Sequence, residues 1–298
     1  MLKAVFKLIG SNYNRTHNIV SKLLSAVRDY PFFYFKEFLN ISKSLITSFL
    51  LRSNKSRTII RKINGVKFLF DFDLFHATPT YFLGTNQISI TKTLVKFLKK
   101  GDIFIDVGAN IGYFSAVGAG LIGKKGEVHC FEPVPHFFKR LLILPKMNDE
   151  YKIFLNNFAL GEIPGVYELE ATPSDSSLVP NYIRPKLSKG KFKGAVRRLD
   201  EYLFERNIEN IALIKIDVEG YEFPVLKGLS RYFEQKKDNL PPIVVEIIPR
   251  AYPLLGIELE DLENYMKNFS YYSYTLDGKH RIDFTKFTEI KDVLFIQK

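Results

Sequence analysis

The stretch Gly-Asp-Ile-Phe-Ile-Asp-Val-Gly-Ala-Asn-Ile-Gly-Tyr-Phe, residues 101–114, decides the fold of this chain. Apolar β-branched and aromatic side chains dominate Ile103–Val107, which predicts a short buried strand. Gly108 and Gly112 follow, where the backbone has to turn sharply and approach another group before a helix begins near Ile111. The pattern predicts a cradle for a small molecule at the end of the strand.

The next apolar run, Glu127–Phe131, predicts a second strand, and Glu132 follows directly after it. Glu132 lies 20 residues after Gly112. An acidic side chain at the tip of the second strand of such a unit is placed to accept hydrogen bonds from ribose hydroxyls. The predicted ligand is therefore a nucleoside.

The glycine pattern decides which nucleoside compound fits. The loop has Gly108 and Gly112 but lacks the third glycine of a dinucleotide site, and no Gly-Lys-Ser/Thr follows the strand as a phosphate loop would need. Asp106 places a carboxylate where a phosphate would be repelled and a cation attracted. An adenosine ligand with a positive centre and no phosphate fits best, which is S-adenosylmethionine.

Five motifs resemble, in order and spacing, those of the FkbM family of S-adenosylmethionine-dependent methyltransferases. They are Asp-Val-Gly-Ala-Asn-x-Gly-Tyr (106–113), Phe-Glu-Pro-x-Pro (131–135), Asn-x-Ala-Leu-Gly (157–161), Leu-Asp-Glu-Tyr (199–202) and Lys-Ile-Asp-Val-Glu-Gly-Tyr-Glu (215–222). The resemblance covers roughly residues 65–275. It implies O-methylation, often of sugars or of polyketide-derived hydroxyls, by an enzyme with a class I methyltransferase fold.

The implied fold is α/β and Rossmann-like, with a mostly parallel seven-stranded sheet and an antiparallel C-terminal strand. Apolar runs predict strands at 66–72, 103–107, 127–131, 152–156, 166–171, 192–199, 211–217, 243–248, 271–275 and 292–297. Residues 166–171 and 192–199 are predicted to form an antiparallel excursion. The polar loop between them, 172–191, is long enough to be a lid that faces the acceptor.

Six residues are the predicted cofactor contacts. Gly108 and Gly112 would let the backbone approach the amino-acid moiety of the cofactor, Asp106 suits its ammonium, and Glu132 would hold the ribose. By resemblance, Asn157 lies near the adenine and Asn110 supports the loop. His136 and Cys130 are better explained as an exposed residue at a helix start and as a core residue. Tyr113 either lines the methyl site or packs.

A second set of acidic residues predicts the catalytic side of the site. Asp217, Glu219 and Glu246 follow or end apolar strands, at the sheet edge where open α/β folds bind ligands. A carboxylate there could act as a general base for a hydroxyl acceptor, and Glu246 could instead pair with Lys215. For Glu222, a functional role in this set and a surface ion pair are equally good explanations. A divalent cation is compatible with these groups, but no histidine accompanies them, so no metal ligand is assigned.

Net charge divides the chain into two predicted domains. The chain of 298 residues has a formal charge of +11, and residues 1–62 hold 12 Lys or Arg against 2 Asp or Glu. We predict a basic, helical extension over 1–62 and a methyltransferase domain over 63–298. Two explanations of the extension remain open: peripheral contact with a membrane, or packing on the methyltransferase domain. Nucleic-acid binding is disfavoured because no recognition module accompanies the charge.

Cellular location and function class complete the predictions. A single cysteine, the absence of an 18-residue apolar run and the absence of a signal-like core together predict a cytoplasmic protein, with any membrane contact peripheral. The leading hypothesis is an active O-methyltransferase for a small-molecule or glycan acceptor. The alternative is a non-catalytic binding module on the same fold, with the basic segment as its functional part. A dehydrogenase is disfavoured by the missing glycine.

Overall fold

The computed structural model describes residues 58–71, 85–171, 176–179 and 190–298. The predicted N-terminal extension therefore lies outside the described residues up to residue 57, and so does most of the predicted lid. The described residues within 60–69 and 89–298 belong to one compact unit.

Strands and helices alternate along most of this unit. The strands are β1 Thr58–Ile63, β2 Val66–Asp71, β3 Ile103–Val107, β4 Glu127–Phe131, β5 Lys152–Asn156, β6 Ala159–Leu160, β7 Gly165–Ala171, β8 Ser176–Ser177, β9 Gly190–Arg197, β10 Ile211–Ile216, β11 Ile243–Ile247, β12 Tyr271–Tyr274 and β13 Lys291–Gln297. The α-helices are α1 Thr85–Phe97, α2 Tyr113–Ile122, α3 Pro135–Leu141, α4 Ile143–Met147, α5 Leu199–Glu205, α6 Glu222–Lys227, α7 Ser230–Lys236 and α8 Leu259–Lys267. Two 3₁₀ helices span Pro249–Leu255 and Phe284–Lys286.

Seven strands form the central sheet, in the order β12-β13-β11-β10-β3-β4-β5. The pairs β11/β10, β10/β3, β3/β4 and β4/β5 are parallel, whereas β13 runs antiparallel to both of its neighbours. The structure thus confirms the predicted Rossmann-like architecture with an antiparallel C-terminal strand. The β-branched and aromatic content of the central strands explains why they are buried on both faces.

A second, four-stranded sheet has the order β6-β9-β7-β8. The antiparallel pairing of β7 with β9 confirms the predicted excursion. The sequence analysis missed β6, a two-residue strand that pairs in parallel with β9. It also missed β1, which pairs with β2 in a separate two-stranded sheet and spans the predicted domain boundary at residue 62.

Apolar packing fixes the positions of the strand ends. Phe104, Ile105, Ile214 and Val245 have no exposed surface, and α2 buries most of its side chains. This helix begins at Tyr113, two residues later than predicted, because Gly112 adopts a left-handed backbone conformation. Within the described ranges, helices are too short or too polar to cross a membrane.

Candidate active site

The carboxyl ends of the parallel strands gather the predicted residues at one edge of the sheet. Asp106 belongs to β3, Glu132 follows β4, Asn157 follows β5, Asp217 follows β10, and Glu246 belongs to β11. Because these strands are parallel neighbours, their ends meet at the same edge. The sequence therefore distributes over 140 residues a set of polar groups that the fold brings together.

Glu132 is almost fully buried, and backbone groups hold both of its oxygens. Oε2 accepts a hydrogen bond from the Asn110 N–H and Oε1 accepts one from the Val134 N–H, each at 2.8 Å. Burial nevertheless raises the pKa of Glu132 to about 7. A carboxylate has about four lone-pair positions, so two acceptor positions remain after these bonds.

Asn110 and Asn157 brace the loops on either side of Glu132. The Asn110 side-chain oxygen accepts a hydrogen bond from the Ile111 N–H at 2.8 Å, and its backbone has a positive φ of 52°. The Asn157 amide donates to the carbonyl oxygens of Glu132 and Pro133 at 2.8 and 3.3 Å. Both asparagines therefore shape the loop geometry, while a direct cofactor contact stays a prediction.

Gly108 and Gly112 are required by the packing of the protein itself. A Cβ on Gly108 would lie 1.8 Å from the carbonyl oxygen of Asp217, and φ there is +75°. A Cβ on Gly112 would lie 2.6 Å from a methyl group of Leu141, with φ at +88°. The absence of a side chain at Gly108 thus lets the loop after β3 pack against the loop after β10. The absence of one at Gly112 lets helix α3 pack against the loop after β3.

Asp106 lies behind this edge with no exposed surface. Its Oδ2 accepts a hydrogen bond from the Ser115 hydroxyl at 2.5 Å. Its Oδ1 accepts no hydrogen bond among the described residues, and Lys215 Nζ lies 3.8 Å from it. Burial raises the pKa of Asp106, and the nearby ammonium opposes that rise. Cys130 donates its thiol hydrogen to Ser115, which places it in the core as predicted.

Lys215 lies between Asp106 and Asp217. It is the register partner of Asp106 in the parallel pairing of β10 with β3, and its side chain is 2% exposed. Its ammonium donates a hydrogen bond to Asp217 Oδ2 at 3.0 Å and lies 5.0 Å from the centre of the Phe114 ring. The sequence analysis considered Lys215 only as a partner of Glu246, whereas the structure pairs it with both aspartates.

Three carboxylates crowd together beyond Lys215. Asp217, Glu219 and Glu246 each offer one oxygen, and these oxygens all lie within 4.8 Å of one another. The negative charge of Asp217 and the partial burial of the site raise the pKa of Glu246. Asp292, the register partner of Glu246 on β13, has its pKa raised to about 7, chiefly by burial. This geometry could hold a divalent cation or a shared proton.

The loop after β10 is fixed by a strand of the smaller sheet. Glu219 has a positive φ of 54°, and its carbonyl oxygen accepts a hydrogen bond from the Ser177 hydroxyl of β8 at 2.7 Å. Glu222 has no exposed surface, so a surface ion pair is excluded. Its Oε1 accepts a hydrogen bond from the Gly220 N–H at 2.7 Å, and burial raises its pKa to about 8.

The remaining candidates have plainer surroundings. Tyr113 packs edge-on against Phe68, with ring centres 6.0 Å apart. His136 is exposed at the start of α3, as predicted. The sequence analysis missed Ser115, Ser177 and Asp292. Ser115 was detectable, since it lies one helical turn after Gly112. The other two reach the edge through antiparallel pairing that no local pattern predicts.

Comparison with known proteins identifies methyltransferases among the matches. The family model Methyltransferase FkbM domain matches residues 106–273. Hexuronic acid methyltransferase AglP of Haloferax volcanii is 29% identical over 164 residues, which cover 53% of this chain and 61% of that protein. 2-O-methyltransferase NoeI of Sinorhizobium fredii is 28% identical over 159 residues, covering 48% of this chain and 64% of that protein. The chain thus spans less than two thirds of the length of these two relatives.

Two further matches extend the range of organisms. Methyltransferase sdnD of Sordaria araneosa is 30% identical over 184 residues, covering 50% of this chain and 67% of that protein. A crystal structure of Methyltransferase FkbM from Methylobacillus flagellatus KT aligns with a TM-score of 0.41 at 20% identity, covering 66% of this chain and 44% of that chain.

Proposed function

Because the chain belongs to the methyltransferase FkbM domain family, we propose that it transfers a methyl group from S-adenosylmethionine to a hydroxyl of a sugar, glycan or glycolipid-type acceptor. The observation that carries the proposal is the placement of the family match. Residues 106–273 begin with Asp106 and include Glu132, Asp217 and Glu246, so the matched segment contains every carboxylate that the sequence predicted for this edge.

The cofactor side of the edge fits S-adenosylmethionine. Glu132 keeps two acceptor positions for the ribose hydroxyls after bonding to the backbone N–H groups of Asn110 and Val134. The acidic groups gathered at this edge favour a ligand with an ammonium and a sulfonium over one with a pyrophosphate. We assign Asp106, Gly108, Asn110, Gly112, Glu132 and Asn157 to this side.

On the acceptor side we assign Asp217, Glu219 and Glu246. The bound cofactor supplies an electrophilic methyl group. Asp217 is 30% exposed at the edge, and Lys215 holds one of its oxygens, so the other can accept the hydrogen of an acceptor hydroxyl. Alignment of that hydroxyl with the methyl group then supplies much of the acceleration. Glu246, with its raised pKa, is suited to donate a hydrogen bond to another acceptor oxygen.

The sugar-like acceptor is supported by the names of two relatives. AglP is named as acting on hexuronic acid, and NoeI is named as a 2-O-methyltransferase. Both matches include less than two thirds of those proteins, so the acceptor of this chain is proposed by analogy.

The test is methyl transfer itself. The full chain is incubated with methyl-labelled S-adenosylmethionine and a glycan extract of the host, and label is followed into the carbohydrate fraction. Transfer to a base-stable ether would support the proposal. Binding of S-adenosylhomocysteine without any transfer would instead favour a non-catalytic module, and absence of binding would contradict the cofactor assignment.

Metal dependence is tested in the same assay. We propose a metal-free reaction, because the cluster of Asp217, Glu219 and Glu246 includes no histidine among the described residues and methyl transfer needs chiefly proximity and alignment. Activity should therefore survive EDTA. Loss of activity on chelation and its return with Mg²⁺ would assign a cation to Asp217, Glu219 and Glu246.

A further inference from the structure

Lys215 is a buried cation at the meeting point of the two sides of the edge. Its ammonium lies 3.0 Å from Asp217 Oδ2 and 3.8 Å from Asp106 Oδ1, and the side chain is 2% exposed. A charge so deeply buried is costly unless nearby opposite charges and hydrogen bonds compensate it. The two aspartates and the Phe114 ring provide that compensation, so the ammonium is confined to one position.

The ammonium interacts with three carboxylates, those of Asp106 on β3, Asp217 after β10 and Asp292 on β13. Three more, those of Glu219 after β10, Glu222 on α6 and Glu246 on β11, lie near Asp217. Without a cation, mutual repulsion would push the most mobile of these carboxylates apart. The side chain of Asp217 is partly exposed, at 30%, and the ammonium binds one of its oxygens.

We propose, on the premise of the methyl transfer proposed above, that Lys215 is a positioning residue that fixes Asp217 for the acceptor hydroxyl. Asp106 anchors the ammonium from behind, and the ammonium in turn fixes Asp217 Oδ2. With Oδ2 held by the ammonium, the position of the second oxygen of Asp217 is fixed as well. Lys215 acts through Asp217 and does not touch the acceptor.

The first experiment compares Lys215→Met with the unaltered chain. Methionine keeps most of the length and the contact with Phe114 but removes the charge. We expect kcat to fall about 10- to 100-fold, while the dissociation constant of S-adenosylhomocysteine changes less than about threefold. Lys227→Met is the matched control, since Lys227 also pairs with a carboxylate and lies over a phenylalanine ring but is 34% exposed. Its kcat should equal that of the unaltered chain.

A double-mutant cycle separates positioning from general damage. If Lys215 acts through Asp217, then Lys215→Met should reduce kcat little further in an Asp217→Asn background. Losses that multiply, or an unchanged kcat in Lys215→Met alone, would overturn the proposal. If the methionine variant does not fold, Lys215→Gln takes its place in the same cycle.

The same measurements distinguish failure of the inference from failure of the proposed function. An unaltered chain that binds S-adenosylhomocysteine but transfers no methyl group would refute the proposed function, and the inference with it. An active chain with multiplicative losses would refute the role of Lys215 alone.

Discussion

The proposed cofactor side and the proposed acceptor side of the carboxylate edge hold their carboxylates in different ways. Glu132, on the cofactor side, has both oxygens bound by backbone N–H groups from its own loop and the loop after β3. Asp217, on the acceptor side, is bound by the side chain of Lys215 and lies among other carboxylates. The cofactor side is thus fixed by backbone geometry, whereas the acceptor side depends on a balance of side-chain charges.

This difference implies that the binding of Glu132 by the backbone is hard to change by substitution, whereas the surroundings of Asp217 are easy to change. A backbone-bound carboxylate cannot be retuned by a single substitution nearby, because the N–H groups belong to the main chain. A carboxylate held by one ammonium and crowded by Glu246 and Asp292 changes its orientation when one of these neighbours is replaced. Differences in acceptor between members of a family are therefore expected to arise from residues on the acceptor side.

Gly108 joins the two sides, so its substitution should have the largest effect. In Gly108→Ala the new Cβ would lie 1.8 Å from the Asp217 carbonyl oxygen in a left-handed backbone conformation. We expect a loss of about 4 kcal/mol of unfolding free energy, from steric overlap together with backbone strain, measured by urea denaturation.

Gly101→Ala is the matched control for strain. Gly101 also has a positive φ, of 91°, but a Cβ there would meet nothing within 4 Å. It should cost only about 1 kcal/mol. Equal losses of unfolding free energy in the two variants would show that the close approach of Gly108 to the Asp217 carbonyl oxygen does not affect stability.

Asp217→Asn tests the acceptor side alone. The amide keeps the shape of the side chain but cannot act as a carboxylate toward the acceptor hydroxyl. We expect turnover to fall at least ~100-fold, with little change in the affinity for S-adenosylhomocysteine. Steady-state kinetics and calorimetry measure the two quantities. Wild-type turnover on a verified acceptor would remove Asp217 from catalysis.

Glu132→Ala tests the cofactor side. Loss of the carboxylate should weaken S-adenosylhomocysteine binding by roughly 1 to 3 kcal/mol, the typical value for charged hydrogen bonds. Calorimetry should also show no binding of NAD to the unaltered chain, because the loop at Gly108 has no pyrophosphate cradle. Glu132→Gln, which retains one acceptor oxygen, should lose less than Glu132→Ala. An unchanged dissociation constant in Glu132→Ala would contradict the assignment.

Glu222 tests how burial next to the acceptor side affects stability. Its pKa is raised from an ordinary value of 4.5 to about 8, so the folded protein retains a proton that the unfolded chain releases. Stability should therefore fall as pH rises from about 5 to 8. In Glu222→Gln this fall should be smaller by about 1 kcal/mol for each pH unit between about 5 and 8, because no charge has to be buried. Denaturation curves at both pH values measure it; identical pH dependence would show that Glu222 does not contribute.

The sequence predicted the central sheet and the positions of Asp106, Glu132 and Asp217 because each follows from a local pattern. An apolar run ends, and a polar group or a glycine follows within two residues. The network around Lys215 could not be predicted in this way. Its pairing with Asp106 depends on which strands are neighbours and in which register, and residues more than 100 positions apart set that.

The same limit applies to Ser177 and Asp292. Each reaches the edge through an antiparallel strand pair, β7/β8 or β11/β13, whose register is a property of the folded sheet. The two alternatives for Glu222, a surface ion pair and a functional role, could not be separated from the sequence for a related reason. Acidic residues in a first helical turn are usually solvent-exposed, but here the turn is packed against Tyr252, whose hydroxyl lies 3.5 Å from the carboxylate.

The pairing of Asp106 with Lys215 also bears on how the chain finds its fold. Because side chains alternate between the faces of a strand, a slip of β10 by one residue would set Lys215 opposite Ile105 or Val107. Its ammonium would then be buried against apolar side chains without a carboxylate, at a cost larger than most single apolar contacts can offset. The charge pair therefore discriminates against misregistered sheets, so that chains in which β3 and β10 pair incorrectly are unstable before any ligand is encountered.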